Sequence, residues 1–110
     1  MEILEQVSLQ IISSVGAARS NFIMAIDEAS EGNFKKAEQL LVEGKQNFHE
    51  GHLTHARLLF ESSKDDNMQM NLLIVHAEDQ LMSAETFGLL AERIIKMYKR
   101  FDYLCEKKQL

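Results

Sequence analysis

Residues 4–26, LEQVSLQIISSVGAARSNFIMAI, place apolar side chains at steps of three and four: Leu4, Val7, Ile11, Val15, Ala18, Phe22 and Ile26. Such steps line up on one stripe of an α-helix and cannot be reconciled with the alternation of a strand. The spacing predicts a first helix from about Glu2 to Ser30. It ends at SEGNF, where Gly32 suits a left-handed C′ position and Asn33 suits a cap for the next helix.

Working outward, the same periodicity recurs twice. A second helix is expected from about Phe34 to Ser62, with Phe34, Ala37, Leu41, Gly44, Phe48, His52, His55 and Leu59 as its stripe. Gly44 and Gly51 each cost about 1 kcal/mol of helix propensity relative to Ala. Close helix approach or a slight bend would account for them. SSKDDN then supplies capping side chains, with Asp65 or Asp66 beside the next N-terminus. A third helix is expected from about Met68 to Tyr103. Its stripe is Leu72, Val75, His76, Asp79, Met82, Ser83, Thr86, Leu90, Ile94, Met97 and Phe101.

The sequence contains no Pro and no Asn-Gly or Asp-Gly hairpin signal. The expectation is an all-α, antiparallel up-down-up three-helix bundle in one domain, residues 1–110. A chain of this size buries only about two thirds of its unfolded surface, so oligomerisation would add needed contacts.

Composition excludes several functions. A net charge of −5 offers no basic stripe for nucleic acid. The basic residues near the C-terminus complement a helix dipole. The lone Cys105 cannot form an internal disulfide, which fits a reducing cytoplasm. The N-terminus lacks the basic and apolar regions of a signal peptide, and no uninterrupted run reaches the roughly 18 apolar residues of a membrane span. The expected location is the cytoplasm. The six methionines read as core filler.

Chemistry concentrates in LLIVHAEDQLM, residues 72–82, where His76 and Asp79 interrupt an apolar run. Their spacing of three puts them on one helical face with Gln80 beside them. Two ionisable groups in such a run are costly unless each finds a partner. A satisfied core histidine explains His76 alone; the pair favours a function, with neutral imidazole as a nucleophile. His49, His52 and His55 have the spacing of a metal cluster but drift by about 60° around the helix at each step. They lack a thiolate or well-placed carboxylate to complete a zinc set. No phosphate-binding glycine loop or serine nucleophile elbow is present.

At these residues the chain resembles the IIA component of the lactose/cellobiose-type bacterial sugar phosphotransferase system. GAARSNFIMAIDEASEGNFKKAEQLL resembles that family's first helix and turn, HLTHARLL the end of its second helix, and residues 76–82 its His-Ala-x-Asp-x-Leu-Met motif. The resemblance implies a homotrimeric phosphoryl carrier. It implies that His76 accepts phosphate from HPr and passes it to a cysteine of the IIB component, which serves the membrane permease IIC. It further implies that Asp79 from three subunits binds one divalent metal, Mg2+ by hardness. Gln80, His52 and His55 are candidate neighbours of the phosphate. Many relatives carry a second His where Gln80 stands, so no acid–base role is carried to that position. The rival expectation is a regulatory or adaptor bundle of the same fold without transfer. Neither reading names the sugar.

Overall fold

The computed structural model describes residues 3–64 and 72–108. The expected caps Asp65 and Asp66 and the expected helix start at Met68 lie outside the described residues. The described residues form helix α1, Ile3–Ser30, helix α2, Phe34–Lys64, and helix α3, Leu72–Lys108, with no strand among them. The molecule is a rod of 65 × 19 × 18 Å.

The α1–α2 turn is set by one glycine. Gly32 has φ +81°, a conformation that costs a side chain with a Cβ and costs glycine nothing. The chain can then reverse, and the Asn33 N–H donates to the Glu28 carbonyl at 2.9 Å while the Gly32 N–H donates to that of Ala29 at 3.0 Å. These bonds satisfy carbonyls that a helix end otherwise orphans. Asn33 caps α2 only through its backbone, its carbonyl accepting from the Ala37 N–H. Its side-chain amide instead donates back to the Glu28 carboxylate, 2.8 Å away.

Helix α1 packs extensively against both other helices, which touch each other least. Its predicted stripe is largely the buried one: Ile11, Val15, Ala18 and Phe22 are inside, joined by Ser8, Asn21, Ala25 and Ala29. By length and composition α1 could cross a membrane, contrary to the expectation from uninterrupted apolar runs; a third of that window is buried within the bundle.

Phe22 is the pivot of the core. Its ring is 2 % exposed. A Cβ built on Gly44 of α2 would lie 2.6 Å from Phe22 Cε1, and one on Gly88 of α3 would lie 3.0 Å from its Cε2 and Cζ. Gly51 likewise admits Val15, since a Cβ there would lie 2.6 Å from Val15 Cγ1. The glycines thus lower helix propensity and in return let α1 approach closely, as expected for Gly44 and Gly51. Asn21, also buried, accepts from the Asn47 amide at 3.0 Å. The Ser8 hydroxyl is buried with no hydrogen-bond partner among the described residues.

Helix α3 departs from expectation. Its buried line is Ile74, Ala77, Leu81, Ala84, Ala91 and Ile95, with Gly88 inside it. The predicted stripe points outward instead, with Leu72 84 %, Met82 68 % and Phe101 60 % exposed, and Val75, Leu90 and Met97 about half exposed. Met24 joins Met82 and Met97 on the surface, so these methionines are not core filler. On α2 the buried line slips by one residue, to Gly51 and Leu58, leaving His52 and Leu59 outside.

A polar seam joins α2 to α3. Lys99 reaches Glu38, Lys45 reaches Glu92, and His55 Nε2 lies 3.2 Å from Glu78 Oε1. Residue numbers rise on one helix as they fall on the other. Hydrogen bonding from Lys45 holds the Glu92 carboxyl below the usual carboxylate range, outweighing the opposing effect of burial.

Candidate functional site

The outward rotation of α3 answers the problem posed by residues 72–82. His76 and Asp79 are both exposed in the single chain. Two ionisable groups therefore interrupt an apolar run at no desolvation cost within this chain, because they fall outside its buried line. Ile74, Ala77 and Leu81 occupy the core side of the same turns. At 100° per residue, Asp79 lies roughly opposite the core line, while His76 lies on a flank.

The two flanks carry different partners. Gln80, one turn beyond His76 on the same flank, accepts a hydrogen bond on Oε1 from the Arg19 guanidinium of α1 at 2.6 Å. Glu78 projects to the other flank, about 160° around the helix from His76, where it meets His55 of α2. The expected neighbours thus separate: Gln80 shares the flank of His76, whereas His55 is engaged across the helix from it. His52 is exposed and stacks on Phe48, with ring centroids 6.1 Å apart at 22°. Within one chain neither histidine is drawn towards His76, because the α2–α3 seam takes up that side of α2.

His49, His52 and His55 do not assemble. Among the described residues, no group of three His, Cys, Asp or Glu side chains could hold a metal ion. Asp79 offers one exposed carboxylate amid Leu72, Val75 and Met82. Convergence of several chains would make it part of a coordination sphere.

Sequence reasoning missed Arg19 as a site residue. The available signal was a cation in GAARS, immediately after the buried Ala18 and therefore at the margin of the apolar stripe. Its partner is 61 residues away in the chain, beyond the reach of local spacing.

Comparison with known proteins places this geometry. The family model for the lactose/cellobiose-specific IIA subunit of the PTS system matches residues 6–99. The galactose-specific EIIA component of Lactococcus lactis subsp. cremoris is 35% identical over 101 residues, covering 92% of this chain and 87% of that protein. The crystal structure of the cellobiose-specific enzyme IIA from Bacillus anthracis superposes with a TM-score of 0.89 at 30% identity, covering 94% of each chain. The IIA(chitobiose) of Escherichia coli, solved in solution in complex with HPr, gives 0.81 at 26% identity over 93% of this chain and 99% of that one. The chain, with His76 and Asp79 exposed on its third helix and Gln80 half-buried beside them, belongs to the lactose/cellobiose-specific IIA subunits of the phosphotransferase system.

Proposed function

We propose that this protein is a cytoplasmic phosphoryl carrier for sugar uptake, accepting phosphate from phospho-HPr on His76 and delivering it to a cysteine of a IIB component that serves a IIC permease. The observation that carries the reading is the state of His76. It is exposed on helix α3 and makes no side-chain hydrogen bond among the described residues, so a ring nitrogen is available to an incoming protein. The HPr complex of the E. coli relative supports HPr as the donor.

In the transfer, the bond from phosphorus to its donor atom on HPr breaks as a bond to a His76 nitrogen forms, and the donor leaves with the electron pair. Delivery to the IIB thiolate is the corresponding displacement, with His76 leaving. Such transfers depend on in-line alignment and on stabilising the three non-bridging oxygens. A helix of 37 residues, seated on α1 through Ile74, Ala77, Leu81 and Ala84, holds the imidazole in place for that alignment. The direct test uses the purified chain with phosphoenolpyruvate, enzyme I and HPr, and mass mapping under neutral conditions. One acid-labile phosphoryl group on His76, discharged by a IIB protein, is expected. No modification by active donors would mean that the fold serves a regulatory or adaptor role.

The working unit in this proposal is a homotrimer of up-down-up subunits. Support comes from the exposed ridge of Leu72, Val75, Met82, Leu90, Met97 and Phe101 on α3. Fully burying such a side chain is worth about 1.5–3 kcal/mol relative to exposure, and each here has already lost part of that surface. Asp79 lies within the ridge, so association around it would bring one carboxylate from each subunit together. Three carboxylates suit a hard divalent cation such as Mg2+, which would neutralise their mutual repulsion. Asp79→Leu is expected to abolish bound divalent metal while leaving a trimer of equal or higher stability, since apolar packing often replaces buried charge without loss. Elemental analysis with light scattering checks both points. Unchanged metal content would refute the axial site, and a monomeric wild type would refute the trimer.

A further inference from the structure

Among the described side chains, Arg19 is the one Lys or Arg that is not exposed. Lys36, Lys45 and Lys99 pair with Glu28, Glu92 and Glu38, whereas Lys64 lies over the Phe60 ring. Arg19 is half-buried between α1 and α3, and among the described residues its guanidinium is engaged only by the neutral amide of Gln80. A guanidinium in this position has given up part of its hydration and, among the described residues, has gained no anion in exchange. Its fork has five N–H donors, and the Gln80 oxygen takes one.

The bond also fixes Gln80. A guanidinium can only donate, so it selects the carbonyl end of the amide and leaves the Nε2 hydrogens for another acceptor. No acceptor for them exists among the described residues. Gln80 comes four positions after His76, and side chains at that spacing are neighbours with Cβ atoms about 5–6 Å apart. Glu78 lies on the opposite flank with His55, so its charge is kept away. An imidazole, a primed amide and an uncompensated guanidinium therefore share one edge of α3.

We propose that Arg19 is the cation that balances the phosphoryl group on His76, both directly and by aiming the Gln80 amide at its oxygens. The proposal rests on His76 being the acceptor. It assigns to α1 a part in chemistry that is otherwise carried by α3 alone. The need is plain from charge: a dianionic group arrives beside Asp79, on a chain of net charge −5. Hydrogen bonds between charged partners are roughly twice as strong as neutral ones, and one such bond lost corresponds to about tenfold or more in an equilibrium.

The test measures how phosphate divides at equilibrium between HPr and this protein, and how long phospho-His76 survives hydrolysis, in the wild type, Arg19→Gln and Arg19→Lys. Thermal melts of the same samples report the structural tie alone. Arg19→Gln is expected to shift the division about tenfold towards phospho-HPr and to shorten the phosphohistidine lifetime; Arg19→Lys is expected to recover most of both. A lowered melting temperature with unchanged division and lifetime would overturn the proposal and leave Arg19 as a brace between helices. Should Arg19→Gln fail to fold, the wild type decides by NMR. The Arg19 Nε–H and Gln80 amide resonances are expected to move when His76 is phosphorylated, and resonances that stay in place overturn the proposal. Label found away from His76 in the wild type would instead overturn the carrier reading, and the role of Arg19 with it.

Discussion

His76→Ala is expected to fold as the wild type does and to take up no phosphoryl group at all. The two halves of that result have separate causes. Folding is spared because the ring lies outside the buried line of Ile74, Ala77 and Leu81, and surface substitutions of that kind stay within about 0.5 kcal/mol. Transfer is lost because alanine offers no nitrogen for the phosphorus to bond. Paired circular-dichroism melts and phosphate mapping check the result. Label surviving on His49, His52 or His55 would reassign the acceptor to α2. A large drop in stability would show that the imidazole supports the fold.

The second large effect is at the centre of the rod. Phe22→Ala is expected to cost about 3–5 kcal/mol, the usual range for deleting a buried aromatic side chain. Total stability of a domain is about 5–15 kcal/mol, so this one change removes a large part of it. The reason is specific to this packing. Gly44 and Gly88 have no side chain that can move into the space, and their helices are already in contact with α1. Urea unfolding at fixed protein concentration measures the loss, the fixed concentration being needed because association contributes to apparent stability. The complementary change gives a sign test. Gly44→Ala alone is expected to cost about 1–3 kcal/mol by overpacking the ring, and much less when Phe22 is already Ala. Equal costs in both backgrounds would show that the glycine and the ring are not coupled.

The fold was legible in the sequence wherever large side chains faced inward. Leu4 to Ile26 gave α1 its length and its face because Ile11, Val15 and Phe22 are both apolar and buried. The helix limits near Ser30 and Phe34 could be read from Gly32, whose φ leaves little alternative. The face of α3 was misread for a physical reason. Its inward line relies on small residues, Ala77, Ala84, Gly88 and Ala91, which admit close packing but contribute little apolar signal. Ile74, Leu81 and Ile95 are its large buried side chains, whereas Leu72, Val75, Met82, Leu90, Met97 and Phe101 lie outside and drew the assignment to the wrong side. On α2 a step of three in place of four, at Gly51 and Leu58, was enough to expel His52 from the stripe.

The site divides in the same way. The grouping of His76, Asp79 and Gln80 was readable because it is set by helical spacing within a few residues. Which flank each would share with α1 or α2 was not, because Arg19–Gln80 and His55–Glu78 join residues 61 and 23 positions apart. Periodicity within one helix says nothing of the direction from which another helix approaches.

The position of His76 at the edge of the bundle bears on the energetics of the proposed relay. A dianion added there would meet solvent and a few polar side chains, and would leave in place the buried apolar contacts of Ile74, Ala77 and Leu81 with the rest of the bundle. Loading and unloading then require no refolding, so no free energy is stored in the scaffold or dissipated by it. In the proposed relay the phosphoryl group would be handed on at nearly the potential at which it was received, with the local charges around one imidazole setting the difference. Downhill drive is left to the partners on either side.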